Sequence, residues 1–294
     1  MLFTKPVFHK TPTDGCEHHI QGKRPTMEDE SVIAQLGDDL WLYMVLDGHG
    51  GKSASAYFAE NIPIVFLRKL DQLKQDFEDF ELNQDYDNLD TITKIATNTF
   101  LELDEKWFNN ITDEVRGHGT TVTAILMTEN NIYTINVGDS RVVLYHNNEV
   151  VGATVDHKPD PDDRIEARRI LEASENLYDR YRIGHMEFAG PLRVIFGGFG
   201  KLKRSGVAMT RALGDYVFKL KKIEVPETGW RGTFGYTKHE RVYAGKESAL
   251  SPVPDVNIYN KDDVSWILLA CDGLFDVIRN EVVLDIKNQR WDLI

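Results

Sequence analysis

Cysteine is scarce: Cys16 and Cys271 are the only two in 294 residues. Two thiols so far apart form neither a disulfide framework nor a CxxC metal motif, so both read as free thiols in a reducing compartment. Long apolar runs are missing as well. No stretch approaches the ~18 apolar residues of a membrane span, residues 1–8 lack the apolar centre of a signal peptide, and position 2 is not glycine. No membrane partner is therefore expected, and the expected location is cytoplasmic. Positive charge is in deficit, with 34 Lys and Arg against 47 Asp and Glu and a formal charge of −13. That balance opposes a phosphate backbone and excludes nucleic acid as a partner. Repeats and low-complexity tracts are absent too. What is present is 41% hydrophobic content, enough for a buried core, and residues 1–294 fit one large domain or two small ones.

The continuous apolar run at 41–46 predicts a strand buried on both faces, ending on Asp47. A helix is expected after Gly51, capped by Ser53 or Ser55 and bent or restarted at Pro63. Residues 71–90 carry eight acidic residues and a single lysine, which predicts an acidic solvated loop or frayed helix end. Ile92, Ile95, Ala96, Thr99, Phe100, Leu103 and Trp107 then fall on one helical face. Runs of β character at 121–127, 132–137, 142–145 and 150–155, separated by Asn130-Asn131, Gly138-Asp139-Ser140 and Asn147-Asn148, predict an antiparallel meander. Helices are expected at 162–171 and 281–289. Residues 174–205 and 219–251 show no steady periodicity and predict two long loop excursions.

Two apolar strands each end in Asp-Gly, at Asp47-Gly48 and Asp272-Gly273. Asp-Gly is an ordinary turn signal, but it also suits a carboxylate projecting from a rigid strand end, with glycine admitting a ligand or another backbone. The surrounding residues resolve the ambiguity. They run Arg24-Pro25-Thr26-Met27-Glu28-Asp29, Asp47-Gly48-His49-Gly50-Gly51, Gly119-Thr120-Thr121 and Gly138-Asp139-Ser140-Arg141. The series continues with Asp156-His157-Lys158-Pro159, Glu166 with Arg169, Thr210-Arg211-Ala212-Leu213-Gly214-Asp215, and Asp272-Gly273-Leu274-Phe275-Asp276.

In order and approximate spacing these motifs closely resemble the type 2C metal-dependent Ser/Thr protein phosphatases, over residues 22–276. The resemblance implies an α+β fold in which two antiparallel sheets form a central β-sandwich flanked by helices on both sides. It implies that Glu28 and Asp47 with the Gly48 carbonyl bind one ion, that Asp47 bridges to a second ion held by Asp272, and that Asp139 and Asp276 hold a weaker third. Oxygen donors without imidazole or thiolate suit Mg²⁺ or Mn²⁺. The implied reaction is attack of a metal-activated water on phosphoserine or phosphothreonine in phosphorylated proteins. Arg24 would grip phosphate oxygens, the alternative being a surface cation. His49 would protonate the departing alkoxide, or else bind a second-shell water. Asp29, Thr120 and Asp215 are assigned to supporting hydrogen bonds.

Two features depart from that family. An Asp-Asn pair and a final strand, expected after the last helix, find no match, so the domain is expected to be C-terminally truncated and to lack the last strand. This raises the alternative of a catalytically weak or inactive phosphatase-like module that binds phosphoproteins. The other departure is a basic cluster, Arg180, Arg182, Arg193, Lys201, Lys203 and Arg204, that would contact substrate or face solvent. Nothing in the sequence specifies the substrate proteins or the oligomeric state.

Overall fold

The computed structural model describes residues 16–79, 87–160, 164–175, 181–184, 192–196, 205–226 and 237–291. In chain order the first half holds β1 (Glu30–Gly37), β2 (Leu40–Leu46), β3 (Gly48–His49), α1 (Ser53–Asp79), α2 (Leu89–Asn110), β4 (Gly119–Thr120), β5 (Val122–Met127), β6 (Asn131–Val137), β7 (Arg141–His146) and β8 (Glu149–Ala153). There follow α3 (Arg164–Glu175), β9 (Tyr181–Gly184), β10 (Arg193–Phe196), β11 (Ser205–Val207), β12 (Leu213–Gly214), β13 (Leu220–Pro226), β14 (Thr237–Tyr243), β15 (Asp255–Asn260), β16 (Trp266–Ala270), α4 (Asp272–Phe275) and α5 (Asn280–Trp291).

Two antiparallel sheets make the expected sandwich. One has the order β1-β2-β5-β6-β15 and the other β16-β7-β8. Between them lie Ile125, Ile132, Val142 and Leu144, with Tyr43, Ile267 and Leu269 packed alongside. The outer face of the large sheet presents Leu42, Met44, Val122, Ala124 and Ile135 to Phe58, Ile62 and Phe66 of α1 and to Ile95, Phe100 and Leu103 of α2. The outer face of the small sheet presents Val143 and Tyr145 to Phe275 of α4 and Leu284 of α5. Helices therefore cover both sides, as expected.

Several elements differ from the sequence expectation. Strand β2 alternates, with Leu42, Met44 and Leu46 buried and Tyr43 and Val45 only partly so. The helix after Gly51 does not restart at Pro63 but runs to Asp79, so residues 71–79 take the helix-end alternative and not the loop. Burial of Ile62, Val65, Phe66 and Leu70, with Leu73 packed beside them, outweighs the backbone hydrogen bond that Pro63 cannot make. Residues 80–86 lie outside the described part. Helix α2 begins at Leu89 because the Asn88 side chain accepts from the Thr91 amide at 2.9 Å. The meander is broken: β6 and β7 belong to different sheets, and the chain crosses between them at Gly138-Asp139-Ser140.

The two expected loop excursions contain strands. Within 219–251, β13 and β14 pair antiparallel from Leu220↔Tyr243 to Pro226↔Thr237. Within 174–205, β10 pairs with both β9 and β11. Strand β10 buries Val194 and Ile195, and Val194 packs with Ile170 and Ala173 of α3, with Ile183 and Val207 alongside; strands of three or four residues are too short for a period-2 pattern to stand out. Of the basic cluster, Arg180, Lys201, Lys203 and Arg204 lie outside the described residues, and Arg193 donates to the Gly206 carbonyl at 3.0 Å.

Candidate metal centre

The strand registers bring the acidic motifs to one end of the sandwich. Ala270 pairs with Arg141. Two residues further along each antiparallel partner stand Asp272 and Asp139. Val45 pairs with Thr123 in the same way, so Asp47 emerges opposite Thr121. There the Thr121 amide donates to the Asp47 carbonyl at 3.0 Å, the Thr120 hydroxyl donates to the same oxygen at 3.1 Å, and the Asp47 amide donates to Thr121 Oγ1 at 3.2 Å. A rigid main chain thus aims the carboxylate.

Glu28 reaches this end through its backbone. Its carbonyl accepts from Ser55 Oγ at 2.5 Å and lies where a Cβ on residue 48 would be, so only glycine fits there. The Glu28 carboxylate itself accepts from Thr26 Oγ1 at 3.1 Å. Arg24 sits in the exposed turn before β1, with its carbonyl accepting from Gln21 Nε2 at 2.8 Å.

The carboxylates gathered most tightly are Asp47, Asp272, Asp29 and Asp139. Burial, followed by the Asp272 and Asp29 charges, pushes the Asp47 carboxyl up to about 8. Burial and Asp272 push Asp139 up to about 7. Asp29 is raised chiefly by burial, while the Cys271 thiol hydrogen-bonded to it acts the other way. Burial and then Asp29 and Asp47 push that thiol up to about 12. Among the described residues no three His, Cys, Asp or Glu side chains are grouped so that, as they stand, they could hold a metal ion. The chemistry of the donors is nonetheless that of a hard cation. The carboxylates repel one another in a poorly solvated corner, and buried Asp139 Oδ1 has no hydrogen-bond partner, which together describe a hard-oxygen site short of positive charge.

His49 stands beside the cluster. Its Nε2 lies 2.8 Å and 3.0 Å from the two oxygens of Asp215, and its Nδ1 is buried without a partner. Burial disfavours the imidazolium, but Asp215, through its charge and hydrogen bond, together with the Asp47 and Asp139 charges raises the His49 pKa. Asp215 is fixed in turn by a left-handed backbone (φ 54°) and by its amide donating to the His118 carbonyl at 3.0 Å. The preceding Gly214 amide donates to buried Asp104 at 2.7 Å, and Tyr243 and Lys219 also bind Asp104. A side chain at Gly119 would collide with both His49 and Asp215.

This arrangement accords with the family comparison, in which the model of "Protein phosphatase 2C" matches residues 13–293. The chain belongs to that family. Its members are metal-dependent Ser/Thr protein phosphatases. Protein phosphatase 1B of Rattus norvegicus is 28% identical over 285 residues, covering 93% of this chain and 60% of its own length. The chain thus spans about three fifths of that relative. A probable protein phosphatase 2C 4 of Paramecium tetraurelia is 28% identical over 308 residues, covering 98% of this chain and 83% of its own. Among solved structures, a serine-threonine phosphatase 2C from Toxoplasma gondii superposes with a TM-score of 0.62 at 18% identity, covering 91% of this chain and 80% of that one. That likeness shows the shared phosphatase 2C fold.

Three of the residues that build this phosphatase 2C corner were not expected in these places. Asp29 and Asp215, read from sequence as general supports, sit respectively in the carboxylate cluster and against His49. Cys271, read only as a free thiol, lies among Asp29, Asp47 and Asp272. A usable signal existed for Cys271, its adjacency to Asp272. For Asp215 the motif signalled a supporting hydrogen bond but not its partner, because the contact with His49 spans 166 positions.

Proposed function

We propose that this chain hydrolyses phosphoserine and phosphothreonine in proteins, with two Mg²⁺ or Mn²⁺ ions held by Glu28, Asp47, the Gly48 carbonyl and Asp272. The observation that carries the reading is the under-neutralised Asp47–Asp139–Asp272 corner with the His49–Asp215 pair at its side. Ions bound there supply a water of lowered pKa and charge to offset the phosphoryl oxygens. The protein does the rest. Asp47, fixed by three hydrogen bonds to Thr120 and Thr121, sets where positive charge collects. Asp215 accepts a hydrogen bond from His49 Nε2 and stabilises the imidazolium, the acid that protonates the departing Ser or Thr oxygen. Arg24, exposed on its turn, supplies a guanidinium fork for the phosphate oxygens. Partners are phosphorylated proteins. No helix among the described residues is long and apolar enough to cross a membrane.

The test is turnover of a phosphothreonine peptide by the purified chain with millimolar Mn²⁺. Hydrolysis is expected, with its loss in Asp272→Asn. Undiminished hydrolysis by Asp272→Asn would sink the site assignment, and peptide binding without hydrolysis would replace the enzyme with a phosphopeptide-binding module.

A further inference from the structure

The sequence resemblance assigns Asp139 and Asp276 to a third, weaker ion, yet a cation from the chain itself already stands between them. Lys158 Nζ lies 2.8 Å from Asp276 Oδ1 and 4.0 Å from both Asp139 Oδ2 and Asp156 Oδ2. The three carboxylates need it unequally. Asp156 is gripped by the Arg141 guanidinium fork at 2.9 Å and 2.7 Å. Asp276 is 57% exposed, so water shares its solvation. Asp139 is 2% exposed, its Oδ1 has no hydrogen-bond partner, and Lys158 at 4.0 Å is beyond hydrogen-bond reach.

The backbone under Lys158 is clamped to the same corner. The His157 amide donates to the Gly138 carbonyl at 3.0 Å, and the Gly138 amide donates to His157 Nδ1 at 3.0 Å. His157 Nε2 lies 2.9 Å from Asp255, and the Thr210 amide donates to the His157 carbonyl at 2.7 Å. The ammonium can therefore leave the carboxylates only by rotation of its own flexible, 42% exposed side chain. As the side chains stand, Asp139 and Asp276 do not fit a metal ion, because a second cation between them would meet the ammonium.

We propose that Lys158 is a tethered cation that competes with divalent metal for the Asp139–Asp276 pair, so that a third ion binds only when the lysine swings out to solvent. Its length lets it neutralise the exposed carboxylate well and the buried one poorly, which makes it displaceable rather than a permanent substitute. This rests on the reading of the Asp47–Asp272 corner as a divalent-cation centre, and the test separates the two.

Mn²⁺ binding to the full chain, counted by calorimetry and by the electron paramagnetic resonance signal of free Mn²⁺, is compared for wild type, Lys158→Met and Lys158→Arg. Wild type is expected to bind two ions and a weaker third. Lys158→Met is expected to tighten only the third by about tenfold or more, Lys158→Arg to leave it weak, and Asp276→Asn added to Lys158→Met to remove the gain. Thermal melting checks folding, and Lys158→Gln takes the place of Lys158→Met if that variant does not fold. An unchanged or weakened third ion in the neutral variant overturns the proposal, as do a tightened one in Lys158→Arg and a tight third ion in wild type. Absence of the first two ions from wild type overturns the metal-centre reading and this inference together.

Discussion

Two buried acidic corners of this molecule treat the same chemical group in opposite ways. In α3, the Glu166 carboxylate receives Arg169 at 2.7 Å and Arg211 at 2.8 Å and 3.0 Å. Although burial opposes its charge, the two guanidiniums hold it down to about 2. At the end of the sandwich, Asp47 and Asp139 meet other carboxylates and rise to about 8 and about 7. Burial acts in the same direction in both corners, so the partners decide. Where the chain supplies guanidiniums, the acid ties α3 to the segment before β12. Where it supplies more acids than the single Lys158 beside Asp139 offsets, the corner is left short of positive charge, and that shortage distinguishes the candidate site from a structural corner.

The largest effect should come from removing the shared carboxylate of the second corner. Asp47→Asn is expected to lower phosphopeptide turnover with Mn²⁺ at least a thousandfold, about 4 kcal/mol of barrier. Steady-state kinetics reads this, and retained turnover would erase the contrast between the corners.

Next is Glu166→Gln, which leaves two guanidiniums facing a neutral amide and should cost about 3 kcal/mol of stability in urea unfolding near neutral pH. The folded carboxyl lies near 2, below its ordinary 4.5. Its contribution is therefore complete above about 4.5 and lost as pH falls towards 2, so the wild-type and variant stability curves should converge in that window. Parallel curves would show that the ion pairs do not account for the stability.

Asp215→Asn, which removes the partner of His49 without touching the cluster, is expected to lower kcat about tenfold to a hundredfold with little change in KM. Because Asp215 raises the His49 pKa, the alkaline limb of the pH–kcat profile should move to lower pH. A limb that stays in place would assign the proton to another group. The smallest effect is a control on α3 itself. Arg168 and Glu172 pair at 2.7 Å but are 81% and 60% exposed, so Arg168→Ala should change stability by no more than about 0.5 kcal/mol.

Much of the candidate site was legible because its residues sit at strand ends marked by Asp-Gly turns or inside short ordered motifs. Asp47, Gly48, His49 and Asp272 could be named that way. The antiparallel strands could be read from apolar runs interrupted by Asn and Gly turns, whereas the sandwich followed from the family resemblance alone. The strands after α3 could not be read, since β9, β10 and β11 hold only three or four residues each, too few to display an alternation. The length of α1 was hidden for another reason: charged residues on its outer face resemble a solvated loop until the Leu70 and Leu73 contacts are seen.

By itself the sequence determined the family, the order of the acidic motifs and the apolar faces that build two sheets and their covering helices. These are properties of local spacing, which repeats along the chain whatever it packs against. Only the tertiary structure decided which carboxylates meet, that His49 leans on Asp215 and that Lys158 stands between Asp139 and Asp276. Pairings of that kind depend on strand register and on the chain crossing from one sheet to the other at Gly138, and charges that far apart in sequence acquire their energies only when folding brings them within a few ångströms.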